Sequence, residues 1–364
     1  MSHRVIDRPR RTLVLLVLAF GLLAACSGDD PTNLGRIVGG DLPQNSLDPA
    51  GPIAEQVDSL FWLVFWIATG VFALVSLALA YAVLRFRRRG DTDRPVRQVH
   101  GNTRLEIAWT ILPAVILAIV AVPTVATLFE VRAAPGPEDD ALEITVTGHQ
   151  WWWEFHYPEY GITTANEMWV PVDRTVYLSL TSADVIHSFW VPRLAGKRDA
   201  VPGRINNIRF EAAETGAYVG QCAEFCGLAH ADMRQRVFVT SAEEFEAWAV
   251  AQASPASIPA EGPAAAGWEV FQTQCASCHT IDGTSASGLF APNLTHFASR
   301  TSFGGATIDN TTDHLREWLR DPSSLKPMSP DLNDLEAGRV LGMPDLGLTE
   351  QQIADLIALL ESLE

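Results

Sequence analysis

Cys222-Ala-Glu224-Phe-Cys226-Gly-Leu-Ala-His230-Ala-Asp-Met233 packs two thiols, an imidazole and a thioether into one short loop. Thiolate and thioether are soft ligands that favour copper, and imidazole suits copper too. A structural zinc site takes Cys and His and leaves a Met without a use. A Cys222–Cys226 disulfide is possible in an oxidising compartment, yet it leaves His230 and Met233 unexplained. A second His stands upstream in Asp184-Val-Ile-His187-Ser-Phe-Trp190-Val-Pro192. That segment follows a strand-like stretch, so a β-sandwich would bring His187 beside the Cys loop.

The surroundings support such a sandwich. Leu142-Glu143-Ile144-Thr145-Val146-Thr147 alternates apolar and polar residues, and Thr175–Leu180 and Arg234–Val239 behave similarly. Period-two alternation punctuated by Gly and Pro predicts short antiparallel strands in a sandwich or barrel. Residues 251–266, rich in Ala, Pro, Ser and Gly, read as a flexible tether. Beyond them the pattern is helical. Thr349 with Gln352 forms a capping-box signature, and Ile353, Leu356, Ile357 and Leu360 make one apolar face.

Upstream, two uncharged apolar runs, Leu60–Leu84 and Ile107–Phe129, are each long enough to cross a bilayer. Seven arginines and two aspartates lie between 85 and 104. By the positive-inside rule this loop is cytoplasmic and both chain ends are outside. The first residues have Arg8, Arg10 and Arg11, then an apolar run Leu13–Leu23 and Leu23-Ala-Ala-Cys26, which is an export-signal pattern. The net charge of −17 argues against a nucleic-acid partner.

Cys275-Ala-Ser-Cys278-His279 is the attachment pattern for a covalent c-type haem, with His279 as proximal ligand. A thioredoxin-like reading would need a βαβ context, which the pattern lacks. Met328, Met343, His296 and His314 are the available sixth ligands, and Met/His ligation raises the potential.

With these motifs in hand, the loop at 222–233 resembles, spacing for spacing, the binuclear copper (CuA) loop of cytochrome c oxidase subunit II. The resemblance extends over about 55–245. It includes Gly148-His-Gln-Trp151-Trp-Trp153-Glu-Phe, Asp199-Ala-Val-Pro-Gly203-Arg204 and Asn102-Thr-Arg-Leu-Glu106-Ile-Ala-Trp109-Thr. It implies His187, Cys222, Cys226, His230, Met233 and the Glu224 carbonyl as copper ligands. It further implies Mg²⁺ at the subunit I interface through the Glu224 carboxylate, electron entry at Trp151, and a proton-pathway mouth at Glu106.

The C-terminal part is similar to a class I cytochrome c, and the fusion resembles caa-type oxidases. In class I cytochromes the ligand Met precedes a Pro on the loop into the last helix. Met343, in Gly342-Met-Pro344, matches. Residues 1–25 are then a lipoprotein-like signal, with Cys26 lipidated, and 26–58 a linker. A transmembrane hairpin (59–129), a cupredoxin-like CuA β-sandwich (130–250), a linker (251–262) and an all-α cytochrome c domain (263–364) come next. The implied chain is the electron-input subunit of a proton-pumping haem–copper oxidase in a bacterial plasma membrane, with both redox domains on the outer face. It would bind catalytic subunit I, other oxidase subunits and membrane lipid. It would take electrons from a cytochrome c or a bc complex. The competing expectation is the small subunit of a CuA-containing nitric oxide reductase.

Overall fold

The computed structural model describes residues 44–87, 98, 101–134, 136, 140–328 and 342–364. The expectations for the leader, Cys26 and most of the arginine-rich loop fall outside these residues.

Two long helices come first, α1 (Pro52–Phe86) and α2 (Thr103–Arg132). Pro52 opens α1, where a missing N–H costs nothing. Asn102 caps α2 by accepting from the Leu105 N–H at 3.3 Å. Both helices run past the apolar runs that announced them, because hydropathy marks the lipid-facing part and caps set the ends. Both are long and apolar enough to cross a membrane. The 35 residues of α1 span about 50 Å, well beyond the ~30 Å hydrocarbon layer. The excess lets the first turn of α1 be anchored by protein: Ile53 and Ala54 are buried, the Ala50 N–H donates to Arg193 O, and the Ala213 N–H donates to Ala50 O.

The middle of the chain forms two five-stranded sheets packed around a common core. The strands are β1 (Leu142–His149), β2 (Trp152–Tyr157), β3 (Ile162–Ala165), β4 (Glu167–Pro171) and β5 (Val176–Ser182). They continue as β6 (His187–Trp190), β7 (Arg198–Ala200), β8 (Asn206–Phe210), β9 (Gly216–Cys222) and β10 (Arg234–Thr240). One sheet runs β3-β2-β1-β5-β8 and the other β4-β10-β9-β6-β7. The alternation predicted antiparallel pairing, but β1/β5 and β4/β10 are parallel. In each pair the chain visits other strands before returning, so the return runs in the same direction. The inward residues Ile144, Val146, Leu178 and Leu180 are fully buried. Trp153, Phe155 and Tyr157 fill the centre, and the Tyr157 hydroxyl is satisfied by Trp169 O and the Trp169 N–H.

Helix α3 (Ala242–Gln252) comes after β10, with a full capping box at Ser241 and Glu244. The tether composition reads as flexible, yet the segment lies along the next domain: the Ala256 N–H donates to Asp282 O, and Ala256 and Ile258 pack on the apolar core there. Composition showed neither the backbone bond nor the packing of Ala256 and Ile258.

The C-terminal domain contains α4 (Pro263–Gln274), a small ladder of β11 (Ser302–Phe303) and β12 (Ile308–Asp309), α5 (Thr312–Arg320), α6 (Pro322–Leu325) and α7 (Glu350–Leu360). α4 crosses α7 closely. A Cβ on Gly267 would come within 2.1 Å of Asp355 O, so only glycine fits the crossing. The reciprocal Thr349 and Gln352 cap begins α7; losing such a cap costs about 1 kcal/mol. Ile353, Leu356, Ile357 and Leu360 are buried against the core.

Candidate copper and haem centres

His187 opens β6 and Cys222 closes β9, and the two strands are adjacent, with Phe189 opposite Cys222. The loop leaves Cys222 and returns through a 3₁₀ turn at His230–Asp232 into β10. The Cys222 N–H donates to Met233 O and the Ala223 N–H to Ser188 O, both at 2.9 Å. Three neighbouring strands thus aim one set of donor atoms at one point. Cys222 Sγ lies 3.9 Å from His187 Nδ1, 3.2 Å from Glu224 O and 3.8 Å from Cys226 Sγ. Cys226 Sγ lies 3.5 Å from His230 Nδ1 and 3.8 Å from Met233 Sδ. All six residues singled out in the sequence therefore meet, and His187, Cys222, Cys226 and Met233 are buried.

The geometry suits metal and not a disulfide. A disulfide needs sulfurs about 2.05 Å apart, and both cysteines are free. Two sulfurs each about 2.3 Å from one ion at a tetrahedral angle stand close to the observed 3.8 Å. The thiol–thiol hydrogen bond holds Cys222 down at about 4, against burial, and pushes Cys226 above the usual thiol range. The pair releases one proton easily and resists the second until a cation shares the charge.

The orientation of His187 is set by Asp184, whose Oδ1 lies 2.8 Å from His187 Nε2. That bond places the proton on Nε2 and leaves Nδ1 to face the sulfurs. Asp184 is itself fixed by the Val185 and Gln150 N–H groups, both at 2.6 Å. Asp184 and Gln150 lie inside the stretches quoted above, but the sequence assigns no role to either. The only available signal was a carboxylate three residues before a ligand-type His.

In the C-terminal domain Cys275, Cys278 and His279 line a mainly apolar cavity. Its walls include Phe271, Leu319, Leu356 and Leu360. His279 Nδ1 donates to Pro292 O at 2.7 Å, leaving Nε2 free. Burial lowers the His279 pKa despite this bond, so the imidazole is neutral and able to bind iron. Both cysteines are free thiols. Two thiols and one fixed imidazole around an apolar slot fit a covalently attached haem. Met328 and Met343 both line the slot, while His296 and His314 do not. The Trp318 Nε1–H donates to Met343 Sδ at 3.1 Å, and the Met343 N–H points at Met328 Sδ at 3.3 Å. Both His296 nitrogens are taken by the carbonyls of Glu364 and Ser254.

The two centres share a wall. Gln150, Trp151 and Trp152 of the sandwich line the haem slot. Trp151 is buried, and its Nε1–H donates to Cys226 O at 3.0 Å. Glu106 stands apart, at the start of α2, where its carboxylate accepts from the Asn102 N–H at 3.2 Å. The Glu224 side chain is exposed.

Comparison with known proteins gives three family matches. The periplasmic domain of cytochrome c oxidase subunit II matches residues 161–241, the transmembrane domain of that subunit matches 42–127, and cytochrome c matches 264–364. Cytochrome c oxidase subunit 2 of Alkalihalophilus pseudofirmus is 38% identical over 80% of this chain and 88% of its own length. Its counterpart in Bacillus sp. strain PS3 is 35% identical over 88% and 91%. Among solved structures, the periplasmic domain of subunit II of cytochrome oxidase of Bradyrhizobium japonicum is 38% identical, with a TM-score of 0.31, covering 32% of this chain and 95% of that one.

Proposed function

The chain belongs to the cytochrome c oxidase subunit II family, in a form with a C-terminal cytochrome c domain, and from that premise we propose that it relays electrons from haem c through a CuA centre to catalytic subunit I. Membership makes it a subunit of an oxidase complex that associates with subunit I, with a CuA centre and haem c as its redox groups. The observation that carries the path is Trp151: one edge lines the haem slot and its indole N–H bonds the carbonyl of Cys226. A buried aromatic ring with both neighbours fixed is a short route between the centres.

In this reading Cys222 and Cys226 would hold the two coppers through their thiolates. His187, His230, Met233 Sδ and Glu224 O would complete the donor set. Bound copper of this kind supplies one-electron transfer with little rearrangement. The chain's own part is to keep the donors in place, through the β6, β9 and β10 hydrogen bonds and through Asp184. The exposed Glu224 carboxylate is offered to Mg²⁺ at the subunit I contact, since carboxylate oxygen suits that hard cation. Cys275 and Cys278 would anchor the haem, and His279 and Met343 would hold its iron. Helices α1 and α2 both span the plasma membrane, with both redox domains on the outer face, and Glu106 marks the proton entrance on the inner side. Electrons come from a cytochrome c or a bc complex, and pumping of protons accompanies oxygen reduction.

The purified complex should take up oxygen when fed reduced cytochrome c. Trp151→Phe should slow electron arrival at copper, and Glu106→Gln should slow oxygen consumption. Turnover of nitric oxide with no oxygen uptake would instead assign the chain to a nitric oxide reductase.

Met343→Leu keeps the volume and removes the sulfur. The oxidised spectrum should lose its weak sulfur-to-iron band near the red end, and the haem potential should fall. Retention of the band in Met343→Leu, with its loss in Met328→Leu, would move the ligand to Met328.

A further inference from the structure

The seam between the sandwich and the haem domain buries two unlike charges, one of which, Lys326, also stands on the wall of the haem slot. Lys326 stands just after α6 and is 3% exposed. Its ammonium donates to Trp151 O at 2.7 Å, Asp232 O at 2.8 Å and Gly304 O at 2.9 Å. A lysine has three donors, and all three are used, two on the sandwich and one on the haem domain. Of the two sandwich carbonyls, one belongs to the aromatic residue between the centres and the other precedes Met233. Across the seam Glu167 on β4 is 2% exposed. It accepts from the Thr301 N–H at 3.1 Å, and from the Thr301 and Ser302 hydroxyls at 2.6 Å each. Arg236 stands 3.8 Å away as its counter-charge.

Gly305 sits against the lysine. Its carbonyl accepts from the Arg234 N–H at 2.8 Å. Its φ is +82°, and a Cβ there would lie 2.4 Å from Asp232 O and 2.5 Å from Lys326 Nζ. No Cβ fits between Gly305 and the lysine at this point.

Domains of one chain ordinarily move against each other unless their interface is large and apolar. Buried charges add little net adhesion, because desolvation offsets their attraction, but they tolerate only the arrangement that satisfies every donor and acceptor. Resting on the proposed relay, we propose that Lys326 and Glu167, one from each domain, are positioning residues that lock the haem domain onto the copper domain in a single electron-transfer geometry. Transfer then needs no docking and undocking of the haem domain. The step moves one electron: haem c is oxidised, the copper pair is reduced, and no proton or bond changes place. Tunnelling falls steeply with distance, so a lock acts on this step and not on reduction of the haem by its donor.

The test uses the purified oxidase complex with Lys326→Met or Gly305→Ala. The first removes the three-way clamp, and the second wedges it open with every charge kept. Two measurements are made: the haem-to-copper rate after flash reduction of the haem, and amide hydrogen exchange at 301–306. With both centres spectroscopically intact, transfer should slow about tenfold or more, since a shift of about 1 Å can matter that much where geometry sets the rate. Exchange at 301–306 should rise, and in Thr301→Val, which lies off the slot wall, reduction of the haem by the donor should keep its rate. Thr301→Val removes one donor to Glu167 with little change of shape, and should raise exchange in the same segment if the other variants fail to accumulate. An unchanged transfer rate in folded Lys326→Met or Gly305→Ala, or unchanged exchange in any of the three, overturns the lock. A wild-type complex lacking either centre would instead overturn the relay reading on which it rests.

Discussion

Cys226→Ser should remove the copper centre and with it at least about 100-fold of the oxygen uptake driven through haem c, a larger loss than the 10–100-fold in affinity that disturbing a ligand's own support typically brings. Cys226 is the hub of the site: its sulfur contacts Cys222 Sγ, His230 Nδ1 and Met233 Sδ. Serine keeps the shape and replaces a soft donor with a hard one that stays protonated. The purple colour and mixed-valence EPR signal of the full complex should vanish, while the haem c spectrum persists. Asp184→Asn is the graded comparison, since it leaves every ligand and removes the carboxylate that fixes His187. Full copper content and an unchanged signal in Cys226→Ser would remove the cysteine from the ligand set. Stoichiometric zinc in the wild type would remove copper.

The second large effect is expected from Cys275→Ala combined with Cys278→Ala. Both thiols line the haem slot, and burial lifts the Cys275 thiol to about 11, so it is held protonated until it reacts. Without thioether bonds, denaturing gels of the complex should lose the haem-stained band of this chain. Electron entry from an external donor should fall to the background of the haem-free complex. The domain should also lose stability, because the apolar walls of the slot would no longer be covered by an attached haem. The copper signal should survive, since the sandwich has its own core of Trp153, Phe155 and Tyr157. A haem-stained band remaining in the double variant would refute covalent attachment at these residues.

What the sequence disclosed and what it hid separate along a physical line. The copper loop and the Cys-x-x-Cys-His run are local: their chemistry sits within a dozen residues, and residue type with spacing conveys it. His187 was reachable because it stood at the edge of a strand-like stretch. Alternation exposed β1, β5 and β10, but the same pattern serves parallel and antiparallel partners, so the parallel β1/β5 and β4/β10 ladders stayed hidden. The composition of the 251–262 segment reads as a tether, yet Ile258 packs on the C-terminal core and the Ala256 N–H bonds Asp282 O. Asp184 acts through one ring nitrogen of His187, and Pro292 through one of His279. Such supports are defined by direction in space, and spacing along the chain carries no trace of them. Lys326, beside Leu325 and Pro327, reads in the sequence as one base in an acidic domain. Its three acceptors lie in segments 22 to 175 residues away.

Those separations impose an order on biogenesis. Closing a loop of 175 residues between Trp151 and Lys326, or of 134 between Glu167 and Thr301, is entropically costly and is rewarded only once both surfaces exist. The sandwich and the helical domain must therefore each acquire their shape before the seam can form. Trp151 and Trp152 become walls of the haem slot when it does. A group that fills the slot would therefore have to enter before the seam closes, while Trp151 and Trp152 are not yet its walls.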